Sequence, residues 1–149
     1  MANILMVVGS VTGKALTAAE VIAGELNSAH QVRITTTPTL ADIRAADLDI
    51  LIVVSSTTGQ GEVPSPLLPW FMDMQDQFPL LPNLRFAVVG LGDSSYEHFC
   101  GGSEQIENLL LELQAQPICD RFKIDALEHY NPVDAARQWA LEFAPLISS

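Results

Sequence analysis

The residues best suited to chemistry fall in three short stretches rich in glycine and hydroxyl groups. They are "GSVTGKA" (Gly9 to Ala15), "SSTTGQGEVP" (Ser55 to Pro64) and "GLGDSSYEHFCGG" (Gly90 to Gly102). The first looks like a triphosphate-binding P-loop. Such a loop holds four residues between its first Gly and its Gly-Lys pair, followed by a Ser or Thr that holds magnesium. Here only Ser10, Val11 and Thr12 separate Gly9 from Gly13, and Lys14 is followed by Ala15. The loop is one residue short and lacks the magnesium hydroxyl. It keeps the parts of a phosphate cradle: hydroxyls at Ser10 and Thr12, a glycine for a tight turn, and the N–H groups of Gly13 to Ala15 opening a helix. That set suits a terminal monophosphate bound without metal. An ordinary βα turn with helix-capping hydroxyls is the plainer alternative.

The second stretch can lay its backbone flat against a ligand, and Gly59 can reorient its peptide at little steric cost. A surface turn has the same composition. The third carries Gly90 and Gly92, but a dinucleotide fingerprint needs a third glycine and a place in the first βα unit. Tyr96, in a polar turn, could cover a planar ring or pack on its own loop. His98 has no second His or Cys at metal spacing, so it reads as a capping or packing residue, and Phe99 alone reads as core. No metal site and no catalytic residue is expected. Trp70 and Trp139 fall on helix faces and read as packing.

The elements that position these stretches follow from hydrophobic patterning. Apolar runs at Ile4 to Val8, Ile50 to Val54 and Phe86 to Val89 predict strands buried on both faces, as in a parallel sheet. Ile118 to Ile124 predicts another, interrupted by polar residues, and the alternating Val32 to Thr36 suits a sheet edge. Helical faces appear over Ala15 to Ser28 and Ser103 to Ala115. A last helix is predicted with Asn131 as N-cap, Pro132 in its first turn, and Ala136, Trp139, Ala140 and Phe143 inward. "SPLLPWFMDM" starts a helix after Ser65 or at Pro69, and Thr39 to Ala46 is at most a short one. Strand and helix alternate five times, which predicts one open α/β domain over residues 1–149. Periodicity does not give the strand order. If it is the five-stranded 2-1-3-4-5 order, ligands bind beyond the carboxyl ends of the strands, near the first and third. The loops after strands one, three and four are the three stretches above.

The charge narrows the partners. Seven Lys plus Arg against eighteen acids give a formal charge of −11. Nucleic acid and anionic membrane surfaces are disfavoured, and basic protein partners favoured. No apolar run approaches the roughly 20 residues of a membrane span. "MANILMVVG" reads as a strand and not a signal peptide. Cys100 and Cys119 read as two reduced thiols in a cytoplasmic protein.

Taken together, the three stretches resemble the short-chain flavodoxin family in order and spacing, over essentially the whole chain. The wording "TTGQGEVP" and "GLGDSSY" is closest to the MioC/YqcA-type flavodoxins and similar to the FMN domains of diflavin reductases. The resemblance implies a flavodoxin-like three-layer sandwich with helices on both faces of the sheet, and FMN as cofactor. Ser10, Val11, Thr12, Gly13, Lys14 and Ala15 would wrap the phosphate. Ser56, Thr57, Thr58, Gly59 and Gln60 would line one side of the isoalloxazine, and Leu91, Gly92, Asp93, Tyr96, His98, Phe99 and Cys100 the other. Tyr96 matches the tyrosine that stacks on the ring, backbone near Gly59, Asp93 and Cys100 would meet its polar edge, and Asp125 is carried over as well. Three positions depart from the family pattern. Thr58 stands where many members have an aromatic, Lys14 where many have Asn, and Ala15 where a phosphate-binding Thr or Ser is usual.

The implied role is a low-potential one-electron carrier between a basic-faced flavodoxin/ferredoxin NADP reductase and an acceptor enzyme. It would be a cytoplasmic monomer with no substrate turnover of its own. A negative ring near a phosphate, Asp93, Glu97 and Glu62 is unfavourable, which is the source of the low potential. The alternatives are a flavin-dependent NAD(P)H or quinone reductase, for which the chain has no room for a nicotinamide domain, and a flavin-binding accessory or regulatory protein. A phosphoacceptor receiver domain is excluded, because Gly9-Ser10 and Ser55-Ser56 stand where its acidic residues belong.

Overall fold

Strands β1 (Asn3–Gly9), β3 (Ile50–Ser55) and β4 (Arg85–Gly92) are buried along nearly their whole length. Runs such as ILIVVS carry apolar groups on both faces, so they settle in the middle of a sheet covered on both sides. The computed structural model describes residues 2–10, 13–56, 62–92, 100–126 and 131–147. The sheet is parallel, in the order β2-β1-β3-β4-β5, with β2 (Gln31–Thr35) at one edge. Helices α1 (Lys14–Leu26) and α5 (Val133–Ile147) cover one face. The other face carries α3 (Leu68–Gln77) and α4 (Gly101–Glu112), with the short α2 (Leu40–Ile43) beside α3.

The pleat of the strands sorts the core into two halves. Ile4, Met6, Val8, Ile50, Ile52 and Val54 meet the Ala15, Ala18, Ala19 and Ile22 stripe of α1 and Ala136, Trp139, Ala140 and Phe143 of α5. Leu5, Val7, Leu51, Val53, Phe86 and Val88 meet Trp70, Phe71 and Met74 of α3 and Ile106 and Leu110 of α4. Both tryptophans are core residues, as their helical spacing predicts.

The expected fifth strand, Ile118 to Ile124, needs correction. It is two short strands, β5 (Gln116–Pro117) and β6 (Phe122–Asp125), both paired with β4. Phe86 pairs with Pro117 and Val89 with Phe122, so β4 advances three residues while its neighbour advances five. Two extra residues must leave the ladder, and Ile118 to Arg121 form the resulting bulge. Elsewhere the local signals hold. α3 starts at Leu68 with Pro69 in its first turn, where a missing N–H costs nothing. Asn131 Oδ1 accepts from Val133 N at 3.0 Å at the start of α5. The two cysteines are unpaired. No helix among the described residues is long and apolar enough to cross a membrane, and no cluster there could hold a metal ion.

Candidate functional site

Parallel pairing places Gly9, Ser55 and Gly90 in one row at the carboxyl ends of β1, β3 and β4. The row is built for close approach. A Cβ on Gly9 would lie 2.6 Å from Leu67 Cγ and 2.8 Å from Pro64 Cγ. One on Gly90 would lie 2.7 Å from Ser103 Cβ, so these glycines let the chain beyond each loop press onto the strand ends. Ser56 closes the row by donating to the Gly9 carbonyl from both its N–H (2.8 Å) and its hydroxyl (3.1 Å). Buried Ser55 donates to the Ser56 carbonyl at 2.9 Å.

From this row the chain enters α1 through Gly13. Its φ of 88° is the left-handed region that favours glycine, and its surroundings would leave room for a side chain. The conformation, not crowding, selects the residue. Gly13 N donates to Ser10 Oγ at 2.8 Å, and the Gly13 carbonyl accepts from Thr17 N at 3.0 Å and Thr17 Oγ1 at 3.1 Å. Among the described residues no side chain caps α1, and no acid lies in its first turn, where Lys14 stands instead. Helix starts ordinarily attract acids, so the arrangement instead brings helix-start N–H groups and a basic side chain to one place. Ala15 is fully buried in the apolar core, so its methyl belongs to the α1 packing and only its backbone could meet a ligand.

On the far side, Leu91 packs into the core and Gly92 ends β4, its carbonyl accepting from Ala126 N at 2.8 Å. Asp125 lies opposite Gly92 in the ladder. Cys100 is the N-cap of α4 with φ 55°, and its carbonyl accepts from Ser103 Oγ (2.8 Å) and Glu104 N (3.1 Å). Burial pushes its thiol up to about 11, offset in part by Arg121 and Lys123, and burial also raises Cys119. Val11, Thr12, Thr57, Thr58, Gly59, Gln60, Asp93, Tyr96, His98 and Phe99 lie outside the described residues. The expected residues that are described, Ser10, Gly13 to Ala15, Ser56, Leu91, Gly92 and Cys100, belong to strand ends and helix starts on this one edge of the sheet.

Sequence reasoning overlooks the locks behind the loops, Ser55 and the Gly90–Ser103 contact. A serine three residues after Cys100, aligned with a strand-end glycine, is the available signal. A groove of about 660 Å³ runs along the amino ends of β1 and β2, away from this edge. Its polar groups serve the fold: Arg33 pairs with Asp42 at 3.3 Å, and His30 Nδ1 accepts from Ala2 N at 3.0 Å.

The flavodoxin family profile matches residues 6–139. The chain belongs to the flavodoxin family. It is 36% identical over 149 residues to "Flavodoxin YqcA" of Escherichia coli (strain K12), covering 99% of this chain and 100% of that one. "Protein MioC" of Escherichia coli O157:H7 is 36% identical over 140 residues, covering 93% and 94% of the two chains. A solved cysteine-to-serine mutant of flavodoxin from Pseudomonas aeruginosa superposes with a TM-score of 0.90 at 34% identity, covering 99% of each chain. Flavodoxin membership implies a flavin as the cofactor, and the carboxyl edge of the sheet is where this fold receives ligands.

Proposed function

We propose that this flavodoxin binds FMN and carries single electrons from a basic-faced flavodoxin/ferredoxin NADP reductase to an acceptor enzyme, with no turnover of its own. The observation that carries the reading is the start of α1. Among the described residues, a thirteen-residue helix begins without a side-chain cap or an acid, and with Lys14 at its first position, beyond the Gly9–Ser55–Gly90 row. Backbone donors at a positive helix end fit a phosphate monoester. The short loop and buried Ala15 leave no hydroxyl for a magnesium ion after Lys14. The residues present therefore fit FMN better than a nucleoside triphosphate.

When bound, FMN supplies the capacity to take up and release electrons one at a time. The chain supplies the rest. In this reading Ser10 to Ala15 bind the phosphate, Ser56 to Gln60 and Leu91 to Cys100 flank the ring, and Tyr96 covers it. A glycine at position 59 lets the peptide turn its carbonyl toward a ring proton at little steric cost. Exposed Glu62 in the second loop and Glu104 in the first turn of α4 put part of the −11 charge near this edge, where it would steer basic partners.

The visible spectrum of the purified protein and the identity of the released chromophore test the cofactor. Apoprotein titrated with FMN and with riboflavin should prefer the phosphorylated form. Equal affinity for the two would remove the phosphate role of α1. Reduction by NADPH and a flavodoxin reductase should slow as salt rises, and salt-independent rates at sub-saturating reductase would count against steering. Steady NADPH oxidation by the protein alone would instead make it a reductase.

A further inference from the structure

We propose that Arg121 is a positioning residue for the flavin edge, clamping the first turns of α4 to the bulge between β5 and β6. The inference rests on the FMN reading for its functional consequence, while the clamp itself stands on the fold. The Arg121 side chain is only 12% exposed. Its Nη1 lies 3.6 Å from Glu107 Oε1 and its Nη2 3.9 Å from Glu104 Oε2, ion pairs too long to be hydrogen bonds. Its Nε and Nη1 find no hydrogen-bond acceptor among the described residues. A guanidinium held in this way contributes little net stability, because desolvation offsets the attraction, and an apolar chain of similar length could fill the space. Its value therefore lies in what it holds.

The two glutamates are three residues apart, on the face of α4 nearest its start. That start is Cys100, in a left-handed conformation, at the point where the third loop rejoins the described fold. Ser103 and Glu104 both donate to the Cys100 carbonyl, and Ser103 also packs on Gly90, two residues before the end of β4. A shift in the first turns of α4 therefore moves residues 100 to 104 against the strand row. Arg121 ends the bulge just before Phe122, which packs on the α1–α5 core, and its ion pairs with Glu104 and Glu107 put its side chain on the α4 side. Arg121 and Cys100 are also within electrostatic reach of each other.

The experiment compares Arg121→Met with the double variant Glu104→Gln/Glu107→Gln. In the apoprotein, iodoacetamide labelling of each cysteine is read by mass spectrometry, with Cys119 as the internal reference. Loss of the clamp should raise Cys100 labelling relative to Cys119 by about tenfold, because the buried N-cap opens locally. The FMN dissociation constant should rise by about tenfold in both variants. A bare charge effect gives a different pattern. Removing one cation would then weaken FMN binding while removing two anions would strengthen it, and that outcome overturns the proposal. Unchanged Cys100 labelling in both variants overturns it too. If Arg121→Met does not fold, the glutamine pair carries the same two measurements. A parent protein that binds no FMN, with Cys100 labelling still raised in the variants, would refute the FMN reading and leave the clamp in place.

Discussion

Helices α1 and α2 each follow a strand, yet their starts are opposites. α2 has four residues and satisfies itself: Thr39 Oγ1 accepts from Asp42 N at 3.3 Å, and Asp42 Oδ2 accepts from Thr39 N at 2.9 Å. α1 has thirteen residues, a glycine where a capping side chain would stand, and a lysine where an acid would serve. β2 lies at the sheet edge, whereas β1 lies beside β3 at the point where the strand order reverses. The helix at the edge closes its own donors, whereas the helix at the crevice has no such reciprocal cap among the described residues. Under the FMN reading, that difference is what lets the start of α1 receive the phosphate.

Lys14→Glu tests that contrast most severely. An acid at the start of α1 improves the helix dipole by about 0.5 kcal/mol but meets the phosphate with like charge, so FMN affinity should fall about 100-fold. Isothermal titration and urea unfolding of the apoprotein read the two effects. A variant that binds FMN as well as the parent would break the comparison. Thr39→Ala should do the reverse, costing about 1 kcal/mol of stability with FMN affinity unchanged. In the FMN reading Thr58 flanks the ring, and Thr58→Tyr would supply the aromatic wall found in many family members. Redox titration should show a second one-electron potential more negative than the parent's, and an unchanged or higher value rejects the role given to Thr58.

The smallest effect is a pH dependence confined to α2. The Thr39 backbone N–H, aided by Arg33, holds the Asp42 carboxyl below its ordinary value. A carboxylate so lowered stabilises the fold above the ordinary carboxylate range and loses that contribution as pH falls through its folded value. The stability gap between parent and Asp42→Asn should therefore narrow in acid, and a gap independent of pH would remove the ionised cap.

The same physics explains how much is legible in advance. Ile50 to Val54 reads as a buried strand because so continuous an apolar run suits a core that covers both faces. The order of elements and the three loops follow from equally local signals. The division of β5 from β6 is not legible. It arises from the register against β4, a relation between Phe86 to Val89 and Pro117 to Phe122 that no single window of sequence contains. Ala15 is similar. As a missing hydroxyl it reads as a defect in the phosphate loop, and its burial against the sheet shows a packing reason for the methyl. Arg121 is invisible for a related reason, since its partners Glu104 and Glu107 belong to a different element.

The broken fifth strand also bears on how the molecule behaves in a crowd. That rim is broken into β5, two residues including Pro117, which has no N–H to donate, and β6, four residues with the exposed Lys123 among them. The opposite edge, β2, is five residues long and turns the charged Arg33 outward. Neither rim is a long, flat, apolar template onto which another chain could add a strand. Together with mutual repulsion between copies bearing a charge of −11, this should keep the sheet from growing sideways at high concentration.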